Sequence, residues 1–353
     1  MAHRLSGAAG LALAVLLCGC GGSLGSAPQP AAMQQQVTSR SESAALGFDA
    51  VRITEFSQGL PKDHSLGSIA LGPEGGALWF TDYIDPDFGA NLVGRITPAG
   101  KVTTFPYEGA FASLQGITSG PDGALWLADY SDSVIVRMTT GGSFKTFTLS
   151  GINPAPNGIA VGSDKTLWFT EPGVNAIGRI STGGSITEYT NGISPSAFPD
   201  WIAAGADGAL WFTEYTGNRI GRITTAGVVT EFAMGISKNA KPDYIAAGPD
   251  GALWFTERSA IGRITTAGVV TEYRQGISAG EVPAGIAAGK DEAMWFTEHG
   301  AASQIGRITT GGVVTEYSQG ITPKSYPLGI SAGPGRTMWF TETSGHRIGV
   351  VSY

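Results

Sequence analysis

Pro249-Asp250-Gly251-Ala252-Leu253-Trp254-Phe255-Thr256-Glu257, followed shortly by Ile261-Gly262-Arg263-Ile264, is a tight turn and two short apolar runs. The Asp-Gly pair suits the turn because glycine adopts positive φ without a steric cost. The Trp-Phe pair, once Trp-Leu, recurs at Trp79, Trp126, Trp168, Trp211, Trp254, Trp295 and Trp339, every 41 to 47 residues. A fixed period of this size marks a repeat architecture and overrides the two-domain expectation for 353 residues.

Within the fourth copy, Trp201 to Gly205, Leu210 to Thr213, Ile220 to Thr224 and Val228 to Phe232 read as four short strands separated by turns. Helical solenoids of similar period need runs of ten or more helix-compatible residues, and the chain has none after its N-terminus. One four-stranded antiparallel blade cannot bury both faces alone, so seven must stack around an axis into a closed β-propeller. The fold class is therefore all-β. The last copy ends at Tyr353 before a fourth strand, whereas Val51-Arg52-Ile53-Thr54-Glu55-Phe56 has the fourth-strand pattern and precedes the first copy. This N-terminal strand is expected to complete blade seven and remove an exposed edge. With Ala226-Gly227 taken as a two-residue hairpin, Arg222 should face Glu231, and likewise Arg179 Glu188, Arg263 Glu272 and Arg307 Glu316.

The net charge of -7 and the absence of a basic cluster exclude a nucleic-acid partner. The first 20 residues carry His3 and Arg4, an apolar run from Leu11 to Leu17, and Leu17-Cys18-Gly19-Cys20, an export signal resembling a bacterial lipobox. Cys20 would be the lipidated first residue of an exported, envelope-anchored protein, with residues 21–50 a flexible tether to a propeller over 51–353. An ordinary cleaved signal is the alternative. No thiol then remains for a disulfide, membrane contact is through the anchor alone, and a closed ring is expected to be a monomer.

The residue two before the conserved isoleucine of each first strand lies at the channel mouth: Gly67, Gln115, Asn157, Asp200, Asp243, Ala284 and Leu328 in order. Blades two to five are polar there. Asn157, Asp200 and Asp243 offer the oxygen ligands that Mg²⁺ or Ca²⁺ prefers. Trp201 and Tyr244 stand where other copies have glycine, and acids beside aromatics suit a small amphipathic ligand; filling gaps between blades is the alternative. A second ring closes the second strands, with Asp82, Asp129, Glu171, Glu214, Glu257, Glu298 and Glu342. Its presence in every copy favours a structural cause such as loop capping, although such a rim would also attract cations. Among the histidines only His299 has an adjacent acid on this face and is the candidate base; His64 and His346 read as solvated loop residues.

The repeated Leu-Trp-Phe-Thr-Glu, Ile-Gly-Arg-Ile-Thr and Val-Thr-Glu-Tyr or Phe pattern resembles the streptogramin B lyases, also called virginiamycin B lyases, from about Val51 to Tyr353. The resemblance implies a seven-bladed propeller and a Mg²⁺-dependent elimination that linearises cyclic depsipeptide antibiotics. It also implies a Glu-Pro-His-Gly-type motif at the entry to a first strand, whose histidine is the base. The matching stretches here are Tyr326-Pro327-Leu328-Gly329 and Val282-Pro283-Ala284-Gly285, with Leu328 or Ala284 in the place of that histidine. Glu342 falls near the place of a metal-binding glutamate. A leucine cannot remove a proton. The expectation is a propeller that binds a small amphipathic ligand or an envelope protein without lyase chemistry. The alternatives are a lyase with a displaced base, His299, and a lactonase or hydrolase using a cation at the mouth.

Overall fold

The computed structural model describes residues 51–60, 64–83, 91–109 and 112–353. The expected export signal, Cys20 and the tether over 21–50 lie outside the described residues. The described residues form seven four-stranded antiparallel sheets, each ordered by sequence except the last. In blade seven the N-terminal strand Arg52–Phe56 pairs with Arg347–Ser352 at the outer edge, so that Thr54 lies opposite Val350. First strands touch one another in circular order, and that of blade seven touches that of blade one. The all-β propeller and its N-terminal closure are thus as the repeat implies.

Burial within a blade explains the repeat. All five residues of the second strand Leu210–Glu214 are buried, because both faces are covered by neighbouring blades. The fourth strand Val229–Phe232 is only partly buried, as an outer edge should be. Adjacent residues of a strand point to opposite faces. The motif's Trp therefore faces the next blade and its Phe the previous one. Trp168 packs with Ile202, Leu210 and Phe212 of blade four, and Trp211 with Ile245, Leu253 and Phe255 of blade five. Trp339 closes the sequence against Ile69, Leu78 and Phe80 of blade one. The core is thus a set of layers between blades, each holding one tryptophan and the next blade's aromatic or leucine.

The expected Arg–Glu register is one residue out. Arg222 lies opposite Thr230, and Gly221 opposite Glu231. Thr224 N–H donates to the Val228 carbonyl at 3.0 Å and Gly227 sits at φ +86°, so three residues, Thr225 to Gly227, form the loop. A type I turn completed by a left-handed glycine gives such a loop, and it shifts every pair by one. Arg222 instead donates to Asp207 at 2.7 Å in the turn between the first and second strands. That Asp also accepts the Trp211 indole N–H at 3.1 Å. Equivalent Asp–Trp–Arg sets occur at Asp122, Trp126 and Arg137 and at Asp250, Trp254 and Arg263. Blade one, with Glu74 in place of Asp, keeps only the contact to Arg95.

Gly221 lies opposite Phe212, and a Cβ there would overlap the Phe212 ring. Gly221→Ala is expected to cost about 1–3 kcal/mol, the usual penalty for overpacking, seen as a lower urea midpoint. An unchanged midpoint would contradict this packing.

Candidate functional site

The buried threonine of the motif positions the mouth. Thr213 Oγ1 accepts the Trp201 N–H at 3.0 Å and donates to the carbonyl of Asp243 in the next blade. Thr170 in the same way accepts from Gly158 at 2.9 Å and donates to the Asp200 carbonyl at 2.6 Å. Thr341 closes the circle, accepting from Gly329 at 3.0 Å and donating to the Gly67 carbonyl at 2.6 Å. One hydroxyl per junction thereby fixes the backbone of successive mouth residues. Blade two has Ala128 at this place, and its junction is made by Gly116 N–H donating to the Asn157 carbonyl at 3.1 Å. First strands also slip register at the mouth, as between Pro199 and Ile202. Such bulges re-aim side chains, here Asp200 and Trp201.

The mouth opens on a cavity of about 720 Å³. Gln115, Asn157, Asp200, Tyr244, His299 and Leu328 are among its lining residues, with serines and threonines of blades one, two and seven. Among the described residues no lysine or arginine lines it. The Asn157 amide donates to Asp200 Oδ1, and the Asp200 and Asp243 carboxyls are hydrogen-bonded to one another. Burial raises the Asp200 carboxyl to about 6, against the lowering effect of the Asn157 and Asp243 contacts. Burial and the Asp200 charge raise Asp243 further. Near neutral pH the pair therefore holds one proton and one negative charge.

Trp201 stacks on Tyr244 with ring centroids 4.2 Å apart and planes at 22°. Tyr244 reaches the cavity. Trp201 packs instead against the layer between blades four and five, so the gap-filling alternative describes it. Gln115 donates to Ser113 Oγ at 3.1 Å. His299 Nδ1 lies 3.3 Å from the Pro327 carbonyl, and its ring is 5.3 Å from that of Tyr326. Burial lowers its pKa from 6.5, which keeps the imidazole neutral. With Nδ1 turned to a carbonyl, Nδ1 carries the proton and Nε2 is basic.

The expected metal set comes together only in part. Asn157, Asp200 and Asp243 meet, whereas Glu342 is fully buried at the end of its strand and faces Glu55. Among the described residues no group of three His, Cys, Asp or Glu is placed to hold a metal ion. Asp200 and Asp243 share one proton, and Asn157 turns its NH₂ group rather than its oxygen toward Asp200, so the set offers a cation one negative charge and fewer oxygen ligands than Mg²⁺ or Ca²⁺ takes.

The ring of acids at the second-strand ends is fully buried and cannot act as an exposed negative rim. In five blades the acid faces the glutamate of its own fourth strand, which in turn grips the exit loop of the preceding blade. Ser194 Oγ donates to Glu231 at 2.6 Å, and Thr322 Oγ1 to Glu55 at 2.8 Å. Burial first, and the facing glutamate second, push Glu171, Glu214, Glu257 and Glu342 up to about 8, and Glu298 up to about 9. Blades one and two have Thr104 and Thr146 where the other five have this glutamate, and in blade one His64, read from sequence as a solvated loop residue, pairs through Nδ1 with Asp82. The hint was the coincidence of a shorter acid and a missing glutamate, which occurs in blades one and two alone. In blade two Asp129 caps its entry loop, accepting the Ser113 N–H at 3.0 Å.

These buried carboxyls make stability pH-dependent. An unfolded glutamate releases its proton near 4.5, whereas folded Glu214 holds its proton to about 8. Between these values the folded state binds more protons, so stability declines as pH rises. The melting temperature is expected to fall from pH 5 to pH 9, and the fall should be shallower in Glu214→Gln. A flat or rising profile would show that these carboxyls are ionised.

Comparison with solved structures finds virginiamycin B lyase from Staphylococcus aureus, in a catalytically inactive histidine-to-alanine form with quinupristin. It shares 35% identity over 86% of this chain and 100% of that chain, with a TM-score of 0.79. A second streptogramin B lyase structure shares 32% identity over 86% of this chain and 97% of that one, with a TM-score of 0.78. The extracellular domain of a two-component system protein from B. thetaiotaomicron, at 16% identity, 86% of this chain, 42% of that chain and TM-score 0.67, shares the fold alone. Comparison with curated proteins finds no match. The model of the virginiamycin B lyase family matches residues 51–274 and 191–353, and the chain belongs to that family.

Proposed function

We propose that this chain binds an amphipathic small molecule at the mouth of its channel and does not carry out the family's elimination. The observation that carries the reading is one cavity holding the Asp200 charge, the Tyr244 ring and the apolar Leu328 side by side. Asp200 orients a polar or cationic group, backed by Asn157 and Asp243, while Tyr244 and Leu328 offer apolar surface. Leu328, at the place of the motif histidine, adds contact area but cannot take a proton. A relative that lacks a histidine and is catalytically inactive is nevertheless described with quinupristin, which supports binding without turnover. An export signal ending at Cys20 would present this mouth outside the cytoplasm on a lipid anchor, and Cys20→Ser should release the protein from the membrane fraction.

A second reading rests on His299. Its neutral ring at the cavity wall, with Nδ1 turned to the Pro327 carbonyl, leaves Nε2 as the nitrogen that could remove a proton beside a scissile ester. The C–H electron pair would form a C=C bond as the C–O bond breaks and the carboxylate leaves. Alternatively, Nε2 could activate water for ester or lactone hydrolysis.

Calorimetry with quinupristin as probe, followed by mass analysis of the recovered compound, separates these readings. Binding with the compound recovered intact is expected, and Asp200→Asn should weaken it about tenfold, the loss of one charge-assisted contact. Affinity should also fall as pH drops through about 6, where Asp200 takes up its proton. Linearised or hydrolysed compound, lost in His299→Ala, would replace the first reading with the second.

A further inference from the structure

The loops that enter blades three, four, five and seven share a backbone conformation that side chains rarely adopt. Two residues in each have positive φ: Asn153 and Ala155, Ser196 and Phe198, Asn239 and Lys241, and Lys324 and Tyr326. The second of each pair directly precedes the proline before the mouth residue. Asn175 locks one such loop, its Oδ1 accepting the Phe198 N–H at 3.1 Å and its Nδ2 donating to the Ser194 carbonyl at 3.0 Å. Asn218 does the same for Lys241 and Ser237, at 2.9 and 3.0 Å. The backbone is thus a property of the repeat, while the side chain it projects differs from blade to blade.

Phe198, at φ +58°, shares with Tyr326, at φ +55°, a bulky ring in a conformation that Ala155, at φ +51°, shows alanine can serve. What distinguishes Phe198 is where its ring lies. Its ring is only partly buried and lines two spaces at once. One is the mouth cavity. The other is a groove of about 410 Å³ on the same face between blades three and four, bounded by Pro172, Val174, Asn175, Ser196 and Thr216. Tyr215 supports the ring from behind at a centroid distance of 6.4 Å, and Lys241 lies over the far side of that support at 5.1 Å. The packing props Phe198 up at the divide between the two spaces.

Resting on the binding reading above, we infer that the ligand is longer than the mouth cavity and lays an apolar or aromatic branch over Phe198 into the groove beside Val174, so that Phe198 sets specificity. The ligand class is an amphipathic molecule that carries an apolar or aromatic branch next to its polar group.

The test measures quinupristin affinity for the wild type and for Phe198→Ala, Phe198→Tyr, Val174→Gln and Asp200→Asn. Phe198→Ala should fold, since Ala155 occupies the equivalent position, and should bind about tenfold more weakly, as loss of an aromatic contact implies. Phe198→Tyr should bind like the wild type. Val174→Gln, which touches only the groove, should weaken binding as Phe198→Ala does. Neither variant should move the pH dependence that Asp200 imposes. If Asp200→Asn weakens binding while Phe198→Ala and Val174→Gln do not, the groove is no subsite and the mouth reading stands. If the wild type does not bind, both are overturned.

Discussion

The tryptophan that each blade presents to the next is the contact on which the whole ring depends. A four-stranded blade has two apolar faces and no core of its own. Trp254 closes one face against Ile286, Met294 and Phe296 of the following blade, while Phe255 closes the other against Trp211. Burying 150–250 Å² per aromatic side chain repeats at every junction. The Asp250–Arg263 pair holds that indole at its edge, and Tyr273 stacks on its outer face at 5.6 Å. Because each blade buries its two faces against its neighbours, the strand Arg52–Phe56 completes blade seven and so the last of these packed layers.

That dependence leaves little freedom on the second and third strands and confines variation to the loops of one face. Thr213 and its counterparts tie the mouth backbone of one blade to the next, so mouth side chains can change without moving the frame. Asp200, Asp243 and Tyr244 are placed in this way. The buried acids at the second-strand ends belong to the frame as well: each finds a glutamate, a histidine or loop N–H groups, and none faces the cavity. The mouth is therefore set by single positions on a shared frame.

The pairing of Asp200 with Asp243 gives the site its electrostatic character. Two carboxyls in contact in a poorly solvated place cannot both ionise. The result is one shared charge in a cavity that no lysine or arginine lines among the described residues, beside a neutral His299. In the proposed binding mode, a polar group of the ligand would meet a single, oriented acceptor, with the aromatic and aliphatic wall beside it as the apolar contact.

The repeat period, the strand pattern, the displaced N-terminal strand and the polar half of the mouth were all legible in the sequence, because strand periodicity and turn residues act locally. Asn157, Asp200 and Asp243 could be named in advance for the same reason: aligning copies puts equivalent positions at one end of the channel. Other features could not be read. The Arg222 register turned on whether the hairpin loop held two or three residues, a difference made by one left-handed glycine. The partners of Glu342 and Asp82 come from another strand and an entry loop of the same blade, Glu55 from the opposite end of the propeller sequence, and burial turned an apparent rim of charge into protonated frame groups. The positive φ of Phe198 is set by Asn175 of the preceding blade, across a distance in sequence that no local pattern reports. Sequence alone determined what every copy shares. Tertiary structure decided which departures from the repeat meet, because only closure of the ring brings side chains of different blades to one cavity.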